Sequence, residues 1–82
     1  MPTVLRIDGF RVVIYPNDHR PAHVHLIGAG KEAVFHLHCP DGPPELRQAY
    51  GLSLREANAL AERLQAELNR LCPEWRAIHG DD

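Results

Sequence analysis

Two short segments of this chain alternate strictly between apolar residues and histidine: Ala22-His23-Val24-His25-Leu26 and Phe35-His36-Leu37-His38. In an extended strand successive side chains point to opposite faces, so each segment throws its imidazoles one way and its apolar residues the other. The segments flank Gly28-Ala29-Gly30-Lys31 and read as a hairpin over Ala22 to Ile27 and Glu32 to Cys39. An even-length turn opposes Ile27 to Glu32, Leu26 to Ala33, His25 to Val34, Val24 to Phe35 and His23 to His36. Val24, Leu26, Ala33, Phe35 and Leu37 then form a core face, and His23, His25, His36 and His38 share the other. An odd-length turn separates the two histidine pairs.

Upstream, Thr3 to Ile7 and Phe10 to Tyr15 are rich in β-branched and aromatic residues, and Asp8-Gly9 between them is a signal for a type I′ hairpin. That turn opposes Ile7 to Phe10, Leu5 to Val12 and Thr3 to Ile14 on one side, with Arg6 opposite Arg11 on the other, near Val4, Val13 and Tyr15. Pro16-Asn17-Asp18-His19-Arg20-Pro21 is a loop by composition. Pro40-Asp41-Gly42-Pro43-Pro44 is a break, followed by an irregular stretch or short extension from Glu45 to Leu52. Ser53-Leu54-Arg55-Glu56 fits a capping box, and Ala57, Leu60, Ala61, Leu64, Leu68 and Leu71 follow at helical spacing. Pro73 disfavours helical geometry at Cys72, so the helix is expected over 53–72, with a short terminal turn and tail over 73–82. The expected fold is one α+β domain over 1–82: a four-stranded antiparallel sheet made of two hairpins within 1–39, and one long C-terminal helix packed on one face.

Composition narrows this picture without redrawing it. Eighty-two residues suffice for one small core, and no apolar run reaches the length of a membrane span. The start lacks the pattern of a secretory signal, which makes the cytoplasm the expected compartment, and Cys39 and Cys72 are read as free thiols. The net charge of −2 leaves no general polyanion footprint. The halves differ, however: residues 1–40 carry four Arg or Lys against three acids, whereas 41–82 carry five Arg against eight acids. A bound polyanion would meet the first half.

Three readings of the histidine face stand side by side. Imidazoles at i and i+2 on neighbouring strands can converge on zinc or another divalent ion through His23, His25, His36 and His38, with His19, Asp18 or Cys39 as further ligands. Alternatively, histidines can divide the roles of base and acid on a phosphodiester, with arginines stabilising charge on phosphate, as in metal-independent RNA cleavage. Plainest of all, the face is a non-catalytic surface for a partner or a second copy. Asp18 can orient the neighbouring His19, or simply hydrogen-bond the backbone of its turn.

The stretch from Pro2-Thr3-Val4 and Gly9-Phe10 through Asn17-Asp18-His19, Pro21 and His23-Val24-His25 resembles a family of small bacterial proteins labelled a domain of unknown function, number four-one-six-zero. Its members look like the toxin half of type II toxin–antitoxin pairs and are called DhiT-like in that context. The resemblance implies a separately encoded antitoxin-like partner and an action on RNA or translation. His36 and His38 are not signature positions of that family. Asp18, His19, His23 and His25 are therefore the expected catalytic set, with Arg6, Arg11, Tyr15 and Arg20 as anion or nucleic-acid contacts and no cofactor favoured.

Overall fold

The computed structural model describes residues 3–80; Pro2 of the resemblance and the Asp81-Asp82 end lie outside them. Five strands, β1 (Thr3–Ile7), β2 (Phe10–Val13), β3 (His23–Gly28), β4 (Lys31–His36) and β5 (Glu45–Tyr50), precede helices α1 (Leu54–Ala66) and α2 (Leu68–His79). The strands form one antiparallel meander in the order β1-β2-β3-β4-β5. The α+β class holds, with two corrections: the sheet has five strands, not four, and the helical segment is two helices.

Both hairpins follow from their turns. Asp8 and Gly9 both take positive φ, 49° and 86°, as a type I′ turn demands. Ile7 consequently pairs with Phe10, Arg6 with Arg11 and Leu5 with Val12, but a register shift beyond Leu5 brings Thr3 opposite Val13 instead of Ile14. The second hairpin has the even register throughout, from Gly28 opposite Lys31 to His23 opposite His36. It presents Val24, Leu26, Ala33, Phe35 and Leu37 to the core, each at most 1% exposed.

The added strand, β5, lacks the alternation that marks β3 and β4: all six of its residues are exposed. It is held by pairing with β4, through a register shift between Val34 opposite Gln48 and Phe35 opposite Leu46. Gly51, at φ 76°, turns the chain out of it; a Cβ there would come within 2.6 Å of the Gly30 carbonyl oxygen.

α1 starts where the capping box places it. The Ser53 hydroxyl accepts the Glu56 N–H at 3.1 Å, and Glu56 Oε1 accepts the Ser53 N–H at 3.2 Å. Lys31 donates to Glu56 at 2.6 Å, tying the start of β4 to the helix. That contact, followed by the hydrogen bonds to Ser53, holds the Glu56 carboxyl below its usual pKa.

The break falls at Glu67 (φ −107°, ψ 6°), and Pro73 lies inside α2, which runs on to His79. An interior proline costs a helix about 3 kcal/mol. Tertiary structure offsets it here: Trp75, at 3% exposure, belongs to the core with Leu60, Leu64, Leu68 and Leu71, and burying so large a side chain is worth about 3 kcal/mol. Cys72 is not a free thiol but is bonded to Cys39, their Cα atoms 5.9 Å apart across 33 residues of sequence. A count of two cysteines says nothing about distance; the fold brings them within bridging range. The bridge pins the segment after β4 to α2. Among the described residues, no helix is long and apolar enough to cross a membrane.

Candidate functional site

The helices cover one side of the sheet, and the histidines occupy the other. Along that face the rings form a row: His25 to His23 at 5.4 Å between centroids, His23 to His36 at 6.2 Å, and His36 to His38 at 5.9 Å. The first three are on β3 and β4. His38 has left the expected strand, since β4 ends at His36 and His38 takes φ 52°. Its ring still lies beside His36 and shares a hydrogen bond of 2.7 Å with Glu45 Oε1.

The row divides into two clusters. Asp18 is brought onto β3 by a reciprocal turn: its N–H donates to the Tyr15 carbonyl at 3.0 Å, and its Oδ2 accepts the Tyr15 N–H at 3.2 Å. The same Oδ2 lies 3.4 Å from His23 Nε2 and 3.3 Å from His25 Nε2. All three side chains are only 14–18% exposed. His23 Nδ1 is 2.9 Å from the Pro21 carbonyl oxygen, which can only accept, so Nδ1 carries a proton and donates it there while Nε2 faces Asp18. The Tyr15 ring packs edge-on against His25 at 4.8 Å, and His25 Nδ1 is buried with no hydrogen-bond partner among the described residues.

His36, His38 and Glu45 form the second cluster, of which His38 and Glu45 are open to solvent. Partial burial lowers the pKa of His36 from its ordinary 6.5, helped by the charge of Arg47 and then by His23 and His38, against a smaller opposing effect of Glu45. The hydrogen bond from His38 lowers the pKa of Glu45.

Between the clusters lies a shallow depression of about 290 Å³, lined among others by His19, Arg20, His23, His36, Arg47 and Gln48. Arg20 borders it while also donating to the Gly80 carbonyl at 2.9 Å and lying 5.7 Å above the Trp75 ring. Arg6 and Arg11 share the sheet face but not the site. Arg11 pairs with Ile27, two residues from His25 and four from His23 along β3, about 7 and 13 Å at the rise of a strand, and neither arginine lines the depression.

Of the residues singled out in the sequence, the structure joins Asp18, His23 and His25, with Tyr15 against them; it sets His19 and Arg20 at the adjoining depression and leaves Arg6 and Arg11 apart. The four histidines do not converge on one point. Arg47, Gln48 and Glu45 were missed because β5 has no periodic signal. His79 ends α2, its ring stacked on that of Trp75 at 4.0 Å.

Fold and site together define a small α+β protein with an imidazole-lined open sheet face. The chain belongs to the DUF4160 family, a domain of unknown function, whose model matches residues 9–76 and so spans the loop, β3 to β5 and most of α2. No curated protein and no solved structure matches the chain.

Proposed function

We propose that this chain acts on RNA as the toxin-like member of a bacterial toxin–antitoxin pair, with a separately encoded partner that restrains it. The observation that carries the reading is the depression where His19 and His36 meet Arg20 and Arg47. Two imidazoles and two guanidinium groups on one concave patch are the groups that phosphodiester cleavage requires. His36 takes the proton from a ribose 2′-hydroxyl, the 2′-oxygen attacks phosphorus, and the bond to the 5′-oxygen breaks as His19 protonates it. Arg47 and Arg20 stabilise the charge that gathers on the phosphoryl oxygens.

This division of labour departs from the set expected from sequence. His23 and His25 turn their Nε2 atoms toward Asp18, so neither is free to exchange a proton with substrate, whereas His19 is exposed at the rim. The test is incubation of the purified protein with single-stranded RNA, alongside His19→Ala and His36→Ala variants whose folding is checked by circular dichroism. Cleavage that leaves a 2′,3′-cyclic phosphate and falls about 100-fold or more in each variant supports the reading. RNA left intact by the wild type, or cleaved by both variants as fast as by the wild type, overturns it.

A further inference from the structure

We infer that Asp18, His23 and His25 form a binding site for a divalent transition-metal ion of the zinc class, with one position left for water or substrate. His25 Nε2 lies 3.4 Å from Asp18 Oδ1 as well as 3.3 Å from Oδ2, long for hydrogen bonds of charged groups and close to the spacing of ligands around one ion. Charge-assisted N–H···O contacts close to about 2.7–2.9 Å, but the two Nε2 atoms stand 3.4 and 3.3 Å from Asp18 Oδ2. Two ligands bonded at about 2.0–2.1 Å to a tetrahedral ion are about 3.3–3.4 Å apart. All three donor atoms lie within 4.8 Å of one another, so a small closure of the two rings brings them to one ion.

Proton bookkeeping leads to the same place. The Pro21 carbonyl claims the Nδ1 proton of His23, which leaves Nε2, turned to the Asp18 carboxylate, to be occupied by a second proton or by a metal ion. With neither bound, two acceptors would face each other at 3.4 Å, which only a cation reconciles. A proton can do so; a metal ion does so while also engaging His25. The Nδ1–H to carbonyl contact is the outer-shell device that orients metal-binding histidines, and the Tyr15 N–H does the same for Asp18 Oδ2 by occupying one lone pair and leaving another. Two imidazoles with one carboxylate favour zinc, cobalt or iron over magnesium and calcium, which prefer all-oxygen surroundings. Three protein ligands match open sites of the catalytic kind, not closed structural ones.

The neighbouring His36, His38 and Glu45 do not compete well. His38 and Glu45 are 48% and 63% exposed and already close to 2.7 Å, a hydrogen bond in its own right.

The inference stands apart from RNA cleavage, and its test uses none. The full chain, stripped with a chelator, is titrated with Zn²⁺ by calorimetry and with Co²⁺ by visible absorption. The single tryptophan, Trp75, whose ring lies 6.4 Å from His23, supplies a fluorescence signal. One ion per chain is expected, with the intense visible bands of tetrahedral Co²⁺. Asp18→Asn, His23→Ala and His25→Ala should each weaken Zn²⁺ binding by about 100-fold or more, beyond the 10- to 100-fold loss typical of outer-shell changes; His36→Ala and His38→Ala should not. Circular dichroism in chelator establishes that each variant is folded, and Asp18→Asn keeps an acceptor for the Tyr15 N–H. Absence of saturable Zn²⁺ binding by the wild type overturns the inference. So does binding that survives Asp18→Asn but disappears with His38→Ala. Neither result bears on RNA cleavage.

Discussion

The two three-residue clusters of the histidine row use the same side-chain types, two imidazoles and one carboxylate, yet they are built differently. At Asp18, His23 and His25 every side chain is largely buried, and the carboxylate and one ring are oriented from outside the cluster by Tyr15 and Pro21. At His36, His38 and Glu45, two of the three are open to water and the carboxylate has collapsed onto a ring. Residue types do not distinguish an oriented site from a solvated ion pair; exposure and outer-shell contacts do. A pair in water rearranges to its own best distance, whereas a pair held from behind keeps the distance its scaffold sets.

The largest test of that contrast is the disulfide, which tethers the second cluster and not the first. Cys39→Ser with Cys72→Ser should cost about 3–4 kcal/mol for a bridge spanning this length of chain, read as a lowered denaturation midpoint. Hydrogen exchange should quicken over residues 37–45 while the Tyr15 to Asp18 turn keeps its protection. Equal loosening of both regions would dissolve the distinction.

Next in size, Asp18→Ala removes the acceptor of the Tyr15 N–H and should destabilise the metal-free protein by about 1–2 kcal/mol, whereas Glu45→Ala should leave the denaturation midpoint close to that of wild type. Matching losses in urea titrations would mean that the first cluster is no better anchored than the second.

Acidification should act through the second cluster. The folded pKa of His36 is lowered from 6.5, so below that pH the unfolded chain takes up a proton that the folded one resists. Glu45 is lowered from 4.5, so its contribution is present above that value and is lost as pH falls through the folded one. Both effects have the same sign. Stability measured in chelator should decline as pH falls from 7.5 through 6, and His36→Gln should flatten that decline. A decline unchanged in His36→Gln would place the sensitive group elsewhere. The smallest expected effect is that of His38→Ala, within about 0.5 kcal/mol at neutral pH, because an exposed ion pair contributes little.

How much of this was legible beforehand varies with the range of the interaction responsible. The Asp8-Gly9 turn and the Ser53 cap were readable, and the β3–β4 register and its core face were readable for an even-length turn, because each depends on residues within a few positions of one another. β5 was not: its strand identity is conferred by β4, and its own pattern is exposed throughout. The helix break was misplaced because the rule for the residue before proline is local, while Trp75 in the core and the bond from Cys72 to Cys39 are not.

The site divides along the same line. Strand periodicity determined that His23 and His25 share a face, since a pleat repeats every two residues, and that His36 joins them if the turn is even, as the structure has it. Only the tertiary structure decided that Asp18 folds onto His23 and His25, that Arg47 joins His36, and that Arg6 and Arg11 stay away. Those distances depend on how a proline-flanked loop returns to the sheet and on a strand that pairs from outside the second hairpin, and no short-range pattern encodes either.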